Sequence, residues 1–407
     1  MSAPQAEAAR PLGGPMTDVS EDFGPSVIRL PAWQWMIVGG IVVATLLLAP
    51  WVAERRAAFA PDADYRHPYA YSEDYWLYER YSRHAASHGL LPVIGDSVVW
   101  GHYAGLQGTL PHFLNREAGS PHFANLGLDG TRPMALTGLI RHYCPDICGQ
   151  AVLLHLNPLW MSSPDTDLYP RQDPSAARPT LNQTLRTLLV GKGEAPPTPV
   201  KLNHTRLLPQ LSGRPYGYRP GVGEVVGVGL ERTIPYAAWL RHTRMVGYDN
   251  LGLQSWSLQN PYRNPLSAFT AKLPQPEDRP EGEPVPWTKG GIEKQDFPWV
   301  PINESYQWRC FREAVELLQA RGNRVFVLVG PMNTHLMTDT SRERYEGRKS
   351  AVQEWLTAQG VPHYAPDALP SDLYADASHP LEAGYAEVAK GLYAYQPFRE
   401  WLASPPQ

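Results

Sequence analysis

Residues 93–101 read VIGDSVVWG. An apolar run ends in Gly95, Asp96 and Ser97, and a second apolar run follows at once. Short polar side chains satisfy the first free N–H groups of a helix, so the stretch predicts a junction from strand to helix. Ser97 is then either the cap of that helix or a hydroxyl held up at the end of the strand. The rest of the chain decides between these, by supplying or withholding a base, an orienting acid and oxyanion donors.

The sequence around the junction alternates. Residues 72–89, SEDYWLYERYSRHAASHG, predict a helix with Ser72 as cap and Gly89 as stop. A strand near 91–95, a helix through TLPHFLNREAG, a strand near 122–126, a helix through RPMALTGLIRHY and a strand near 151–156 follow. Short apolar strands separated by helices make a parallel sheet, because each crossover must carry the chain back to the edge it left. From about 159 to 301 the alternation stops, with helical patches only near 181–190 and 231–247. Residues 261–301 hold nine prolines, too many for a segment that extends a sheet. Alternation then resumes with a helix through ESYQWRCFREAVELLQARG, a strand RVFVLVG, a helix at 341–359, a short strand near 361–365 and a last helix at 380–395. The expected fold is α/β: a flavodoxin-like, three-layer α/β/α domain on a parallel sheet of about five strands. Residues 72–158 and 302–407 form that domain, and 159–301 are an insertion.

The 407 residues are 43% hydrophobic and carry a net charge of -4, enough apolar content for a large core, with no lysine or arginine stripe to grip a phosphate backbone. Nucleic acid is therefore not an expected partner. After an N-terminal tail of residues 1–32, residues 33–53, WQWMIVGGIVVATLLLAPWVA, run without a charge. At about 1.5 Å per residue they match a hydrocarbon core of about 30 Å. Trp33, Trp35 and Trp51 stand near the two ends, where indoles favour the headgroup region, and no small-x-small cleavage site follows. An uncleaved transmembrane helix is expected, joined to the domain by a linker at 54–71. Cys144 and Cys148 form CPDIC, which reads equally as a disulfide or as two free thiols, and Cys310 stands alone.

Ligands of open parallel sheets sit at the carboxyl ends of the strands. There the sequence holds Ser97 in GDS, Gly130 closing NLGLDG, Asn157 in HLNPLW, and DASHP with Asp376 three residues before His379. This ordered set resembles the SGNH, or GDSL-type, hydrolases, whose name-giving serine, glycine, asparagine and histidine match Ser97, Gly130, Asn157 and His379. The resemblance covers roughly 90–158 and 304–396. It departs from the usual blocks at Val98, where the family has leucine, and at Pro158, where it has aspartate.

The resemblance implies a serine nucleophile, Ser97, with His379 as base and Asp376 fixing its tautomer. It implies an oxyanion hole made by the N–H groups of Ser97 and Gly130 and the Asn157 amide, and no cofactor or metal. His155, Trp160, Asn333 and His335 are candidates to line the pocket, with sheet packing the competing role for His155 and a turn for Asn333 and His335. His84 and His88 share a helix face but lack a third ligand. Trp239, Trp256 and Trp287 in the insertion read as a local core or a sugar-stacking platform.

The function so implied is that of a membrane-anchored serine esterase or O-acyltransferase acting on acyl, chiefly acetyl, esters of a cell-envelope polysaccharide. A lipolytic esterase or thioesterase is the alternative, as is a catalytically silent scaffold on the same fold. Arg55, Arg56 and Arg66 after the span outnumber Arg29 before it, which by charge alone favours a cytoplasmic domain. Large domains translocate largely regardless of charge, and the resemblance points outward: a single-pass protein of a bacterial inner membrane with its domain in the periplasm. The expected partners are the bilayer, through residues 33–53, a cell-surface glycan or other acyl-ester substrate and, by analogy with such systems, a multi-pass acyl-exporting membrane protein.

Overall fold

The computed structural model describes residues 31–56, 59–168, 202–208, 220–246, 259–262, 273–279 and 282–404. The chain divides into two compact units, Met1–Thr45 and Leu46–Gln407. The described part of the first belongs to helix α1, Ala32–Arg56, which is long and apolar enough to cross a membrane. Its Met36, Ile41, Val43 and Leu47 side chains are exposed, as a lipid-facing surface requires.

The second unit begins with α2 (Tyr75–Ser87), β1 (Leu91–Gly95), α3 (Ser97–Trp100), α4 (Leu110–Ala118), β2 (Phe123–Gly127), α5 (Pro133–Tyr143), β3 (Ala151–Leu156) and α6 (Pro164–Asp167). Within the inserted region stand α7 (Val222–Thr233) and α8 (Pro235–Arg244). The series ends with α9 (Tyr306–Ala320), β4 (Arg324–Val329), α10 (Asp339–Ala358), β5 (His363–Tyr364), α11 (Glu382–Ala394) and α12 (Gln396–Ala403).

The five strands pair in parallel in the order β2-β1-β3-β4-β5. Strand side chains alternate between faces, and here both faces are apolar. Ile94, Leu126, Leu154 and Val327 join a core with Leu139, Phe311 and Leu356 of α5, α9 and α10. Val93, Leu153, Phe326 and Leu328 join another with Leu114, Val388 and Phe398 of α4, α11 and α12. Helices thus cover the sheet on both sides. Transfer of the apolar part at about 25 cal/mol per Å² makes these two clusters the main source of stability.

Several boundaries differ from expectation. Asp74, not Ser72, caps α2, its carboxylate accepting the Leu77 N–H at 3.1 Å. The 54–71 stretch is no loose linker: α1 runs on to Arg56, and Arg66 is buried, donating to the Trp100 and Gly101 carbonyls at 3.0 and 2.7 Å. The patch expected at 231–247 is divided between α7 and α8, because Pro235 cannot donate to a continuing helix and instead starts a new one. The patch at 181–190 and Trp256 lie outside the described residues. Trp287 is buried against the Ser371 carbonyl, and Trp239 is half-buried beside Tyr236. Helix α12 extends the chain beyond the last expected helix, closing the second core with Phe398 and Trp401. Cys144, Cys148 and Cys310 are free thiols, and burial pushes the Cys144 thiol up to about 12.

Candidate active site

In the order β2-β1-β3 the chain leaves β1 toward one neighbour and later returns on its other side, so the loops after β1 and β3 open a crevice at a topological switch point. After β1 the backbone turns at Asp96, whose carboxylate accepts the Val98 N–H at 3.1 Å. Asp96 is therefore the cap, and Ser97 is the first helical residue with its hydroxyl left for other bonds. Gly127 lets β2 run close under this turn, since a Cβ there would lie 2.3 Å from the Trp100 nitrogen.

The Ser97 hydroxyl meets a residue 282 positions downstream. Its Oγ lies 2.8 Å from His379 Nε2, and His379 Nδ1 lies 2.8 and 2.9 Å from the two oxygens of Asp376. The loop before α11 holds its own shape. Asp376 Oδ1 accepts the N–H groups of Ser378 and His379, each at 2.9 Å, while buried Asn333 donates to the Asp376 carbonyl at 3.0 Å. Asn333 thus secures the acid from behind. His335 is engaged elsewhere, with Nε2 2.9 Å from the Leu369 carbonyl.

Two backbone N–H groups are without acceptors. Gly130 has φ +69, a conformation that glycine adopts without strain, and among the described residues neither its N–H nor that of Ser97 meets an acceptor. Asn157 is oriented differently from a free donor. Its Nδ2 donates to Asp96 Oδ2 at 2.8 Å and to Ser378 Oγ at 3.3 Å. The longer of these two bonds is the one an incoming oxyanion can take over.

Asp96 gathers the floor of the site. Besides Val98 and Asn157 it accepts the Trp160 indole N–H at 2.8 Å, and His155 Nδ1 lies 3.2 Å from Oδ1, close but off the hydrogen-bond direction. Burial favours protonation of Asp96, but His155, Asn157 and the His379 charge outweigh it and hold its carboxyl below the usual range. His155 faces the Gly330 carbonyl with Nε2 at 2.9 Å, so it braces β3 against the end of β4.

The electrostatics of the pair are opposed in the same way. Burial disfavours the His379 imidazolium, yet the Asp376 carboxylate, its hydrogen bonds and the charges of Asp96 and Asp129 raise the His379 pKa above the ordinary histidine value. Burial likewise opposes the Asp376 carboxylate, and His379 and the loop N–H groups bring it down to about 2 from 3.8. The stability contributed by Asp376 is therefore present above about pH 4 and lost as pH falls toward 2. A base must be neutral to act. If the pair serves an ester reaction with His379 as base, kcat/KM should rise with pH through a midpoint above about 6.5. A midpoint below 6 would contradict this arrangement.

Neither family models nor curated proteins match the chain.

His102, Tyr103, Asp129 and Arg132, also near the site, carry no sequence signal. His102 Nδ1 lies 2.7 Å from Asp129 Oδ1, and its ring centroid is 5.3 Å from that of His379. Tyr103 meets the His379 ring edge-on at 5.5 Å. Trp160 carries the Arg132 guanidinium over its ring at 5.2 Å. These contacts join four separate segments, around residues 102, 130, 160 and 379, which no local spacing rule encodes.

Proposed function

We propose that this chain is an SGNH-type serine esterase or O-acyltransferase, anchored in a bacterial inner membrane by α1 with its domain in the periplasm, that acts on acyl esters of a cell-envelope glycan. The observation that carries the chemistry is the 2.8 Å contact between Ser97 Oγ and His379 Nε2, backed by Asp376. The resemblance of the ordered Ser97, Gly130, Asn157 and His379 blocks supports the family, and the apolar α1 supports the anchor.

In this reading Ser97 Oγ attacks the ester carbonyl carbon as its proton passes to His379 Nε2, and Asp376 stabilises the imidazolium. Charge develops on the carbonyl oxygen, toward the free N–H groups of Ser97 and Gly130 and the Asn157 amide. The intermediate collapses, His379 protonates the departing alkoxide, and an acyl-serine remains. His379 then takes a proton from water or a sugar hydroxyl, which attacks the acyl group and frees the serine. Hydrolysis and transfer share every step but the identity of that acceptor. A multi-pass partner that exports the acyl group is part of the transfer version.

The test is mass spectrometry of the full-length protein in detergent after incubation with 4-nitrophenyl acetate. One acetyl group is expected on the peptide containing Ser97, discharged faster when an acetylatable glycan is added. Acetylation elsewhere, with Ser97 unmodified, overturns the reading.

A further inference from the structure

Arg132 is a charge at this site to which the acyl-serine chemistry gives no task. It stands two residues after Gly130, at the N-cap of α5, with its Cζ 5.2 Å from the centroid of the Trp160 ring. The same indole donates to Asp96, so guanidinium and nucleophile turn share one aromatic plate.

Its side chain is unlike the other arginines. Among the described residues its buried Nη1 has no hydrogen-bond partner, whereas the other buried arginine nitrogens without partners there are all Nε atoms. Among the described residues no carboxylate pairs with Arg132, although Arg66, Arg206 and Arg279 each find backbone or acidic acceptors. Burial lowers its pKa to about 10, which still leaves it charged at neutral pH. A half-buried cation with no acidic partner among the described residues is free to take an anion from outside the chain, at less cost than one already paired.

A second donor stands against the same loop. Asn203, from the inserted region, is exposed and has no hydrogen-bond partner among the described residues. Its amide nitrogen packs so closely on Gly130 that a Cβ there would lie 2.4 Å away. Gly130 is thereby bordered by an amide with no partner among the described residues, beside a backbone N–H that meets no acceptor there, and Arg132 follows two residues later in the chain.

We infer that Arg132, assisted by Asn203, binds a carboxylate on the substrate, so that the site selects an acidic, uronate-bearing glycan. A planar guanidinium holds a carboxylate through two parallel N–H bonds, a match that neutral sugars lack. This rests on the glycan-ester reading above for the sugar, and on the unpaired donors for the charge.

The experiment is a ligand-observed NMR titration of the full-length protein in detergent with methyl glucuronoside, methyl glucoside and glucose 6-phosphate. The wild type is expected to bind the glucuronoside about tenfold more tightly than the glucoside, with the phosphate weaker than the glucuronoside. Arg132→Gln should remove most of that preference, and Arg132→Lys, which keeps the charge without the fork, should retain part of it. Equal binding of glucuronoside and glucoside by the wild type overturns the inference, as does an unchanged preference in Arg132→Gln. Tighter binding of the phosphate overturns the carboxylate assignment. Because the titration needs no turnover, a preference that depends on Arg132 in a protein unable to form an acyl-serine would sink the esterase reading and leave the anion site standing.

Discussion

Under the proposed acyl-serine reading, Ser97→Ala should lower kcat for 4-nitrophenyl acetate about 10⁴-fold or more, to near the uncatalysed rate. The covalent step begins at Oγ, and no other hydroxyl among the described residues is in contact with His379 Nε2. The fold should tolerate the change. Asp96 does the capping of α3, so the first turn keeps its bond to Val98, and the lost contact is the one to His379. The cost in stability is about 1 kcal/mol, read as a small shift in Tm. The variant should also fail to take up the acetyl label. Retention of more than a few per cent of the activity in a well-folded variant would remove Ser97 from the nucleophile's role.

The strands were legible because both their faces are buried, which writes them as continuous apolar runs such as LPVIG and RVFVLV. The ends of those strands were legible too, since Asp96, Ser97 and Asn157 are polar residues that interrupt apolar runs. The loop with Asp376 and His379 is compact and local, three residues from acid to base, and its chemistry can be read from spacing. Arg66 was not legible as a core residue. Nothing near it in sequence shows that its guanidinium will meet the Trp100 and Gly101 carbonyls. The cap of α2 was misplaced because Ser72 and Asp74 are both capping types. Tertiary contact favours Asp74, whose other oxygen lies 2.5 Å from His242 of α8. His102 and Asn203 reach the loop of Asp129 and Arg132 from distant parts of the chain, so their juxtaposition is a product of topology rather than of any pattern along the chain.

Under the same reading, Asp376→Asn should lower kcat by about 10⁴ while leaving the loop in place. Asp376 Oδ1 accepts the Ser378 and His379 N–H groups, and an asparagine oxygen at that position keeps both bonds. The difference falls on Oδ2, which lies 2.8 Å from His379 Nδ1. An amide NH₂ there is a donor that competes with the retained oxygen 2.9 Å from Nδ1, so it favours rings that accept at Nδ1 and carry the proton on Nε2. Nε2 is the atom that has to receive the Ser97 proton, and in this tautomer it has no lone pair to do so. A second readout separates this from simple loss of structure. Asp376 is the largest of the charges that raise the His379 pKa, so the midpoint of the pH profile should fall in the variant even where residual turnover is small. A kcat within about tenfold of the parent, with the midpoint unmoved, would take Asp376 out of the orienting role. The Ser97 and His379 pair would then depend on Asp96 and Asp129, the other carboxylates whose charges reach His379.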